Sequence, residues 1–136
     1  MKIVFDTNVI VAGLVARGLC HELVEIHLPL HEAVLSNVLW EELAGALREK
    51  FGLAPEELPF LDLYRSHVTW VEPLALATQV CRDPSDDWVL ATALSGETSL
   101  IVTGDDDLSS LEFFEMIEIL SPRQFLERYA SAAESE

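Results

Sequence analysis

Basic residues are what this chain has least of: 8 Lys and Arg stand against 24 Asp and Glu, for a net charge of −16. A protein that grips phosphates ordinarily carries a basic patch, and this composition supplies little for one. The excess acid reads either as a solvated surface or as carboxylates gathered to hold divalent cations, and composition leaves both open. Cysteine is scarce too. Cys20 and Cys81 are the only two, and neither lies in a C-x-x-C motif. Two reduced thiols are expected, with no structural zinc. No apolar run reaches the roughly 18 to 20 residues of a membrane helix, so no membrane partner is expected. The opening MKIVFDTNVIVAGL has one Lys, an early Asp and no A-x-A-like cleavage site, which argues against a signal peptide and for the cytoplasm. No internal repeat is visible. What is present is a chain of 136 residues, half of them hydrophobic. That is the size of one domain with a real core.

Short apolar runs alternate with helical spacing. KIVF (2–5), EAVLS (32–36), VTWVE (68–72), SLIVTG (99–104) and MIEIL (116–120) read as five buried strands. Helices are expected over 8–16, 19–28, from Ser36 or Asn37 to Phe51, over 56–67, 86–95 and 121–130. His27 and His31 flank Pro29, which places them in a loop rather than in a metal set with His21. Residues 74–81 are ambiguous, and 105–111 read as a turn or short helix. The domain is taken as 1–130, with 131–136 (SAAESE) as a frayed tail. Continuous apolar strands are the mark of a parallel sheet covered on both faces. The expectation is an α/β, three-layer fold with a central, mostly parallel five-stranded sheet, its ligand site beyond the carboxyl ends of the strands.

Acids fall at that rim. Asp6 follows IVF, Asp105 follows LIVTG, Asp87 begins the helix WVLATAL, and Glu42 lies one turn into the helix after EAVLS. Two carboxylates about 5 Å apart repel by roughly 3 kcal/mol at an effective dielectric near 20, so a cluster calls for cations. All-oxygen ligands suit Mg²⁺ or Mn²⁺. Each acid also has a plainer reading. Asp6 can cap the first helix and Asp86 or Asp87 the one over 86–95, with Asp86 favoured; Glu42 can face solvent, and Asp105 to Asp107 can form a turn.

The motifs themselves resemble those of PIN-domain nucleases. IVFDTNVIVAGL is similar to the family's opening. LSNVLWEELAGAL resembles the helix with a single acid, which falls on Glu42. CRDPSDDWVLATAL resembles the form D-x-x-[LI]-A-x-A, whose Asp falls on Asp87. LIVTGDDDL resembles T-x-[DN]-x-D-[FL], placing Thr103, Asp105 and Asp107. The CRDP-DD form looks most like the toxin members of toxin–antitoxin pairs related to VapC-type toxins. The resemblance implies a Rossmann-like PIN domain and a Mg²⁺- or Mn²⁺-dependent ribonuclease acting on RNA. It also implies a homodimer and inhibition by a cognate antitoxin. It makes Asp6, Glu42, Asp87 and Asp105 the catalytic, metal-holding set, with Asp107 as a further ligand. Asn8, Thr103 and Asp83 become supports, and Arg17 and Arg82 become candidates for phosphate contacts.

Two enzyme alternatives fail on residues. A dehalogenase-type phosphatase needs an Asp where Asn8 stands, and a phosphoacceptor receiver needs a late Lys, whereas no Lys follows Lys50. The remaining rival is a catalytically weak PIN domain that acts as a protein-binding partner, which the −16 charge favours.

Overall fold

A computed structural model describes residues 1–130; the expected frayed tail at 131–136 lies outside them. The strands are β1 (Lys2–Phe5), β2 (Glu32–Leu35), β3 (Thr69–Trp70), β4 (Leu100–Val102), β5 (Phe113–Phe114) and β6 (Ile117–Leu120). They form one sheet in the order β3-β2-β1-β4-β6-β5. Every neighbouring pair is parallel except β5 with β6. The sheet is therefore mostly parallel, but it has six strands rather than five. Beyond Glu115, held at φ 56°, the chain turns back on itself and pairs Phe113 with Glu118.

Consecutive residues of a strand point to opposite faces. Ile3, Val4 and Phe5 are all within 2% of complete burial, so both faces of the sheet are covered. The helices are α1 (Thr7–Val15), α2 (Leu19–Glu22), α3 (Asn37–Phe51), α4 (Pro59–His67), α5 (Asp87–Ser95), α6 (Asp106–Ser109) and α7 (Pro122–Phe125). Local chemistry sets their ends. Ser36 accepts from the Leu39 N–H at the start of α3, and Gly52, at φ 62°, closes its end. The helix expected over 56–67 is split, because Leu58 precedes Pro59 and is extended. After α2 the chain widens into a π-helical turn, Leu23–His27, and then a 3₁₀ turn, Leu28–Leu30. His27 and His31 thus flank a helical turn rather than an open loop. Pro29 fits there because early helical positions need no N–H. No helix among the described residues is long and apolar enough to cross a membrane.

Strand order reverses between β1 and β4: β2 and β3 lie on one side of β1, β6 and β5 on the other side of β4. This is the switch point where open parallel sheets leave a crevice. α1 leaves β1 at that crevice and packs against α2 very closely. A Cβ on Gly13 would lie 2.6 Å from Val24 Cγ2 and 2.8 Å from the Cys20 carbonyl oxygen. Gly13→Ala is expected to cost roughly 1–3 kcal/mol through overpacking. Urea titration reads this as a lower midpoint at unchanged slope.

Candidate active site

Asp6 is placed by the backbone on both sides. Its N–H donates to the Val102 carbonyl, extending the β1–β4 ladder by one residue, and its carbonyl accepts from Val9 at the start of α1. The side chain is 4% exposed. Oδ1 accepts from the Thr7 N–H at 2.8 Å, and Oδ2 accepts from Thr103 Oγ1 at 2.7 Å and Asn8 Nδ2 at 3.2 Å. Burial pushes its pKa up, against the three hydrogen bonds and with the help of the Asp105 charge. Asp6 also caps α1, as the plainer reading expected. Asn8 and Thr103 extend the frame. Asn8 Oδ1 accepts from Gly104 N–H at 2.9 Å, and Thr103 Oγ1 accepts from Asp105 N–H at 3.0 Å. The end of β4 is thereby tied to the end of β1.

Around Asp6 opens a cleft of about 720 Å³. Asp6, Glu42, Asp83, Asp86 and Asp105 all line it. Asp105 is held by its own helix: Oδ2 accepts from Leu108 N–H at 3.1 Å. Asp86 lies within hydrogen-bonding reach of Asp105, and its pKa is pushed up to about 7. Burial is the largest cause, followed by the charges of Asp105, Asp6 and Asp83, then that hydrogen bond. Below about pH 7 one carboxyl of this pair therefore holds a proton. Glu42 is exposed as a residue, yet partial burial of its carboxyl raises its pKa, reinforced by the Asp6 and Asp83 charges and opposed by Lys50. Asp83 stands at the exposed rim, where its carboxylate accepts from Ser85 N–H and Oγ and is held below the usual range.

Asp87 faces elsewhere. Its carboxylate accepts from the Cys81 N–H at 2.8 Å and the Val80 N–H at 3.1 Å. Burial works to raise its pKa, but those N–H groups and the Cys81 thiol hold it below the usual range. The cost falls on the thiol, which burial and then Asp87 push up to about 12. The two adjacent acids thus part: Asp87 ties down the loop before it, and Asp86 turns into the cleft. Asp86 stands at the N-cap of α5 but makes no side-chain capping bond, so the plain capping reading of Asp86 is not what its carboxyl does. Asp107 is exposed on α6, 3.8 Å from Arg82, and does not line the cleft. Arg17 and Arg82 do not line it either. The charge repulsion that identifies Asp86 lies in three dimensions, whereas the motif count D-x-x-[LI]-A-x-A points one residue further on.

The family model described as PIN domain matches residues 2–107. The chain belongs to the PIN domain family. No curated protein matches it. Two solved structures are similar to this PIN domain. One is VapBC2 from Rickettsia felis bound to a DNA fragment from their promoter, with 12% identity and TM-score 0.60 over 89% of this chain and 98% of that one. The other is VapBC-1 from nontypeable Haemophilus influenzae, with 18% identity and TM-score 0.57 over 90% and 99%. At these identities the likeness is one of fold.

The donor set suits a hard divalent cation: every candidate ligand is a carboxylate oxygen, and three of the acids have raised pKa values. Among the described residues, no three Asp, Glu, His or Cys side chains are arranged to hold an ion between them. A hard divalent cation can also be held by one or two carboxylates and keep its waters, which is what the Asp86–Asp105 pair, backed by Asp6, offers.

Proposed function

We propose that this PIN domain is a Mg²⁺- or Mn²⁺-dependent endoribonuclease and the toxin half of a toxin–antitoxin pair. One observation carries the reading: Asp6, Asp86 and Asp105 crowd together at the switch-point cleft, with Glu42 on its wall and the Asp86 pKa near 7. In this reading Asp86 takes the place that the motif spacing gives to Asp87. Asp86 and Asp105 would hold the cation directly, Asp6 and Glu42 would act on it through its bound waters, Asn8 and Thr103 orient Asp6, and Asp83 serves from the rim. A cation held by these residues would lower the pKa of a bound water, so that hydroxide is available to attack phosphorus near neutral pH, and would help neutralise the charge that develops on the leaving oxygen. The chain's part is positional. Asp6 accepts three hydrogen bonds, so its carboxylate keeps one lone-pair direction free. Purified chain free of antitoxin is expected to cut single-stranded RNA in Mn²⁺ and to stop in chelator. RNA left intact in both would overturn the reading.

Mass action gives a second test. Millimolar Mn²⁺ is expected to raise the melting temperature of chelator-stripped protein, because binding to the native state alone stabilises it. A monovalent salt at matched ionic strength should do less, and equal shifts would remove the cation from the account.

The −16 charge supports a partner-binding role beside catalysis. The two similar structures are VapBC complexes, and a cognate antitoxin is the partner proposed here, with a homodimer as the working assembly. Opposite potentials steer association, so the antitoxin is expected to bring an Arg- or Lys-rich segment whose side chain sits among the acids in place of cations. A complex in which the acids stay open to solvent would contradict this.

A further inference from the structure

The cleft does not end at the acids. It runs between α1 and α3 to Lys50 and Phe51 at the last turn of α3. On α3 the lining positions Glu42, Gly45, Ala46, Glu49 and Lys50 follow the i, i+3, i+4, i+7, i+8 stripe of one helix face, with Glu41 and Phe51 at its margins. Lys50 therefore stands roughly two turns, about 12 Å, from Glu42. Among the described residues it is the one Lys or Arg lining the cleft, and it enters no ion pair. Beside it Phe51, also on the cleft wall, is 45% exposed. Between these two and the acids lies Gly45. Mid-helix glycine weakens a helix relative to alanine, and no packing need explains it here, since a Cβ would meet nothing within 4 Å.

From this geometry we infer that the arm of the cleft between α1 and α3 seats the single-stranded RNA next to the cut, with Lys50 holding a backbone phosphate and Phe51 stacking an unpaired base. The inference rests on the ribonuclease reading for its choice of ligand. In a chain this acidic, a phosphate needs a local cation, and Lys50 supplies it where Arg17 and Arg82 do not line the cleft. An exposed aromatic face beside a phosphate contact is how proteins hold unpaired bases without reading sequence. Gly45 keeps the passage open.

The test is fluorescence anisotropy with a labelled single-stranded oligoribonucleotide, in Mn²⁺, on the full chain carrying Asp86→Asn so that bound RNA survives. Adding Lys50→Ala is expected to weaken binding about tenfold and to lower the log–log salt slope by about one. Lys50→Arg should stay within about twofold of its parent. Phe51→Ala should weaken the single strand about tenfold and leave weak duplex binding unchanged. Gly45→Leu should block binding while its melting curve shows a folded protein. Wild-type protein is assayed for cleavage in parallel. Cleavage with binding indifferent to Lys50 and Phe51 overturns this inference and spares the ribonuclease reading. Binding that depends on both without cleavage overturns that reading and supports the inference. Neither binding nor cleavage overturns both.

Discussion

Asp86→Asn is expected to lower Mn²⁺-dependent RNA cleavage by about 100-fold or more, while Asp87→Asn keeps most of the activity and loses stability. Changes one layer out from a metal typically cost 10- to 100-fold, so loss of a proposed direct ligand sets a higher floor. The stability signs follow from the partners. Asp86 makes no side-chain bond to backbone, and its neighbours are other acids. The neutral amide removes repulsion and can still donate to Asp105, as protonated Asp86 does. Chelator-stripped Asp86→Asn should therefore melt at or above wild type. Asp87 is an acceptor for two loop N–H groups. An amide keeps one oxygen for them and turns an NH₂ toward the other, at a cost of roughly 1–2 kcal/mol. The reverse pattern, Asp87→Asn stable and inactive with Asp86→Asn active, would restore the assignment that the motif spacing suggests.

The second large effect is in pH. Asp86 has a folded pKa near 7, far above its ordinary 3.8, because of burial and then the surrounding carboxylates. Between those two values the folded chain binds more protons at this site than the unfolded chain, so stability falls as pH rises through the window. Asp6 and Glu42, also raised, act in the same direction. Asp83 and Asp87 act oppositely, because their pKa values are lowered: their contribution is present above the ordinary carboxylate range and is lost as pH falls below it. The difference in melting temperature between Asp86→Asn and wild type isolates one site. In chelator it should be close to zero below about pH 3, where Asp86 is mostly neutral in both states, and should grow in favour of the variant from the ordinary 3.8 up to about pH 7. With Mn²⁺ present the order should invert at pH 7, because a cation replaces the proton in wild type. A flat difference across pH would mean that neither burial nor neighbouring charge raises the Asp86 pKa.

Most of the sheet was legible because β1, β2, β4 and β6 are short apolar runs buried on both faces, and sequence shows such runs directly. β5 was not. It is two residues long, and its pairing depends on Glu115 taking a left-handed turn that nothing in the side chain advertises. The rim acids that follow strands, Asp6 and Asp105, could be placed because a strand end fixes its neighbour. Asp86 and Asp87 could not be told apart in the same way. Adjacent residues at a helix start point roughly 100° apart. The phase there is set by the 3₁₀ turn Pro84–Asp86 and by the need of the Val80 and Cys81 N–H groups for an acceptor. Lys50 was hidden for a related reason: its place on the cleft wall depends on α3 running unbroken from Ser36 to Gly52 beside α1.

The most direct measurement is cleavage of a labelled single-stranded RNA by antitoxin-free chain in Mn²⁺, with wild type, Asp6→Asn and chelator-treated wild type run side by side. The acid cluster predicts cutting by wild type alone, with Asp6→Asn down by about 100-fold yet folded. Equal cutting in all three, or none by wild type at any Mn²⁺ concentration, would contradict it.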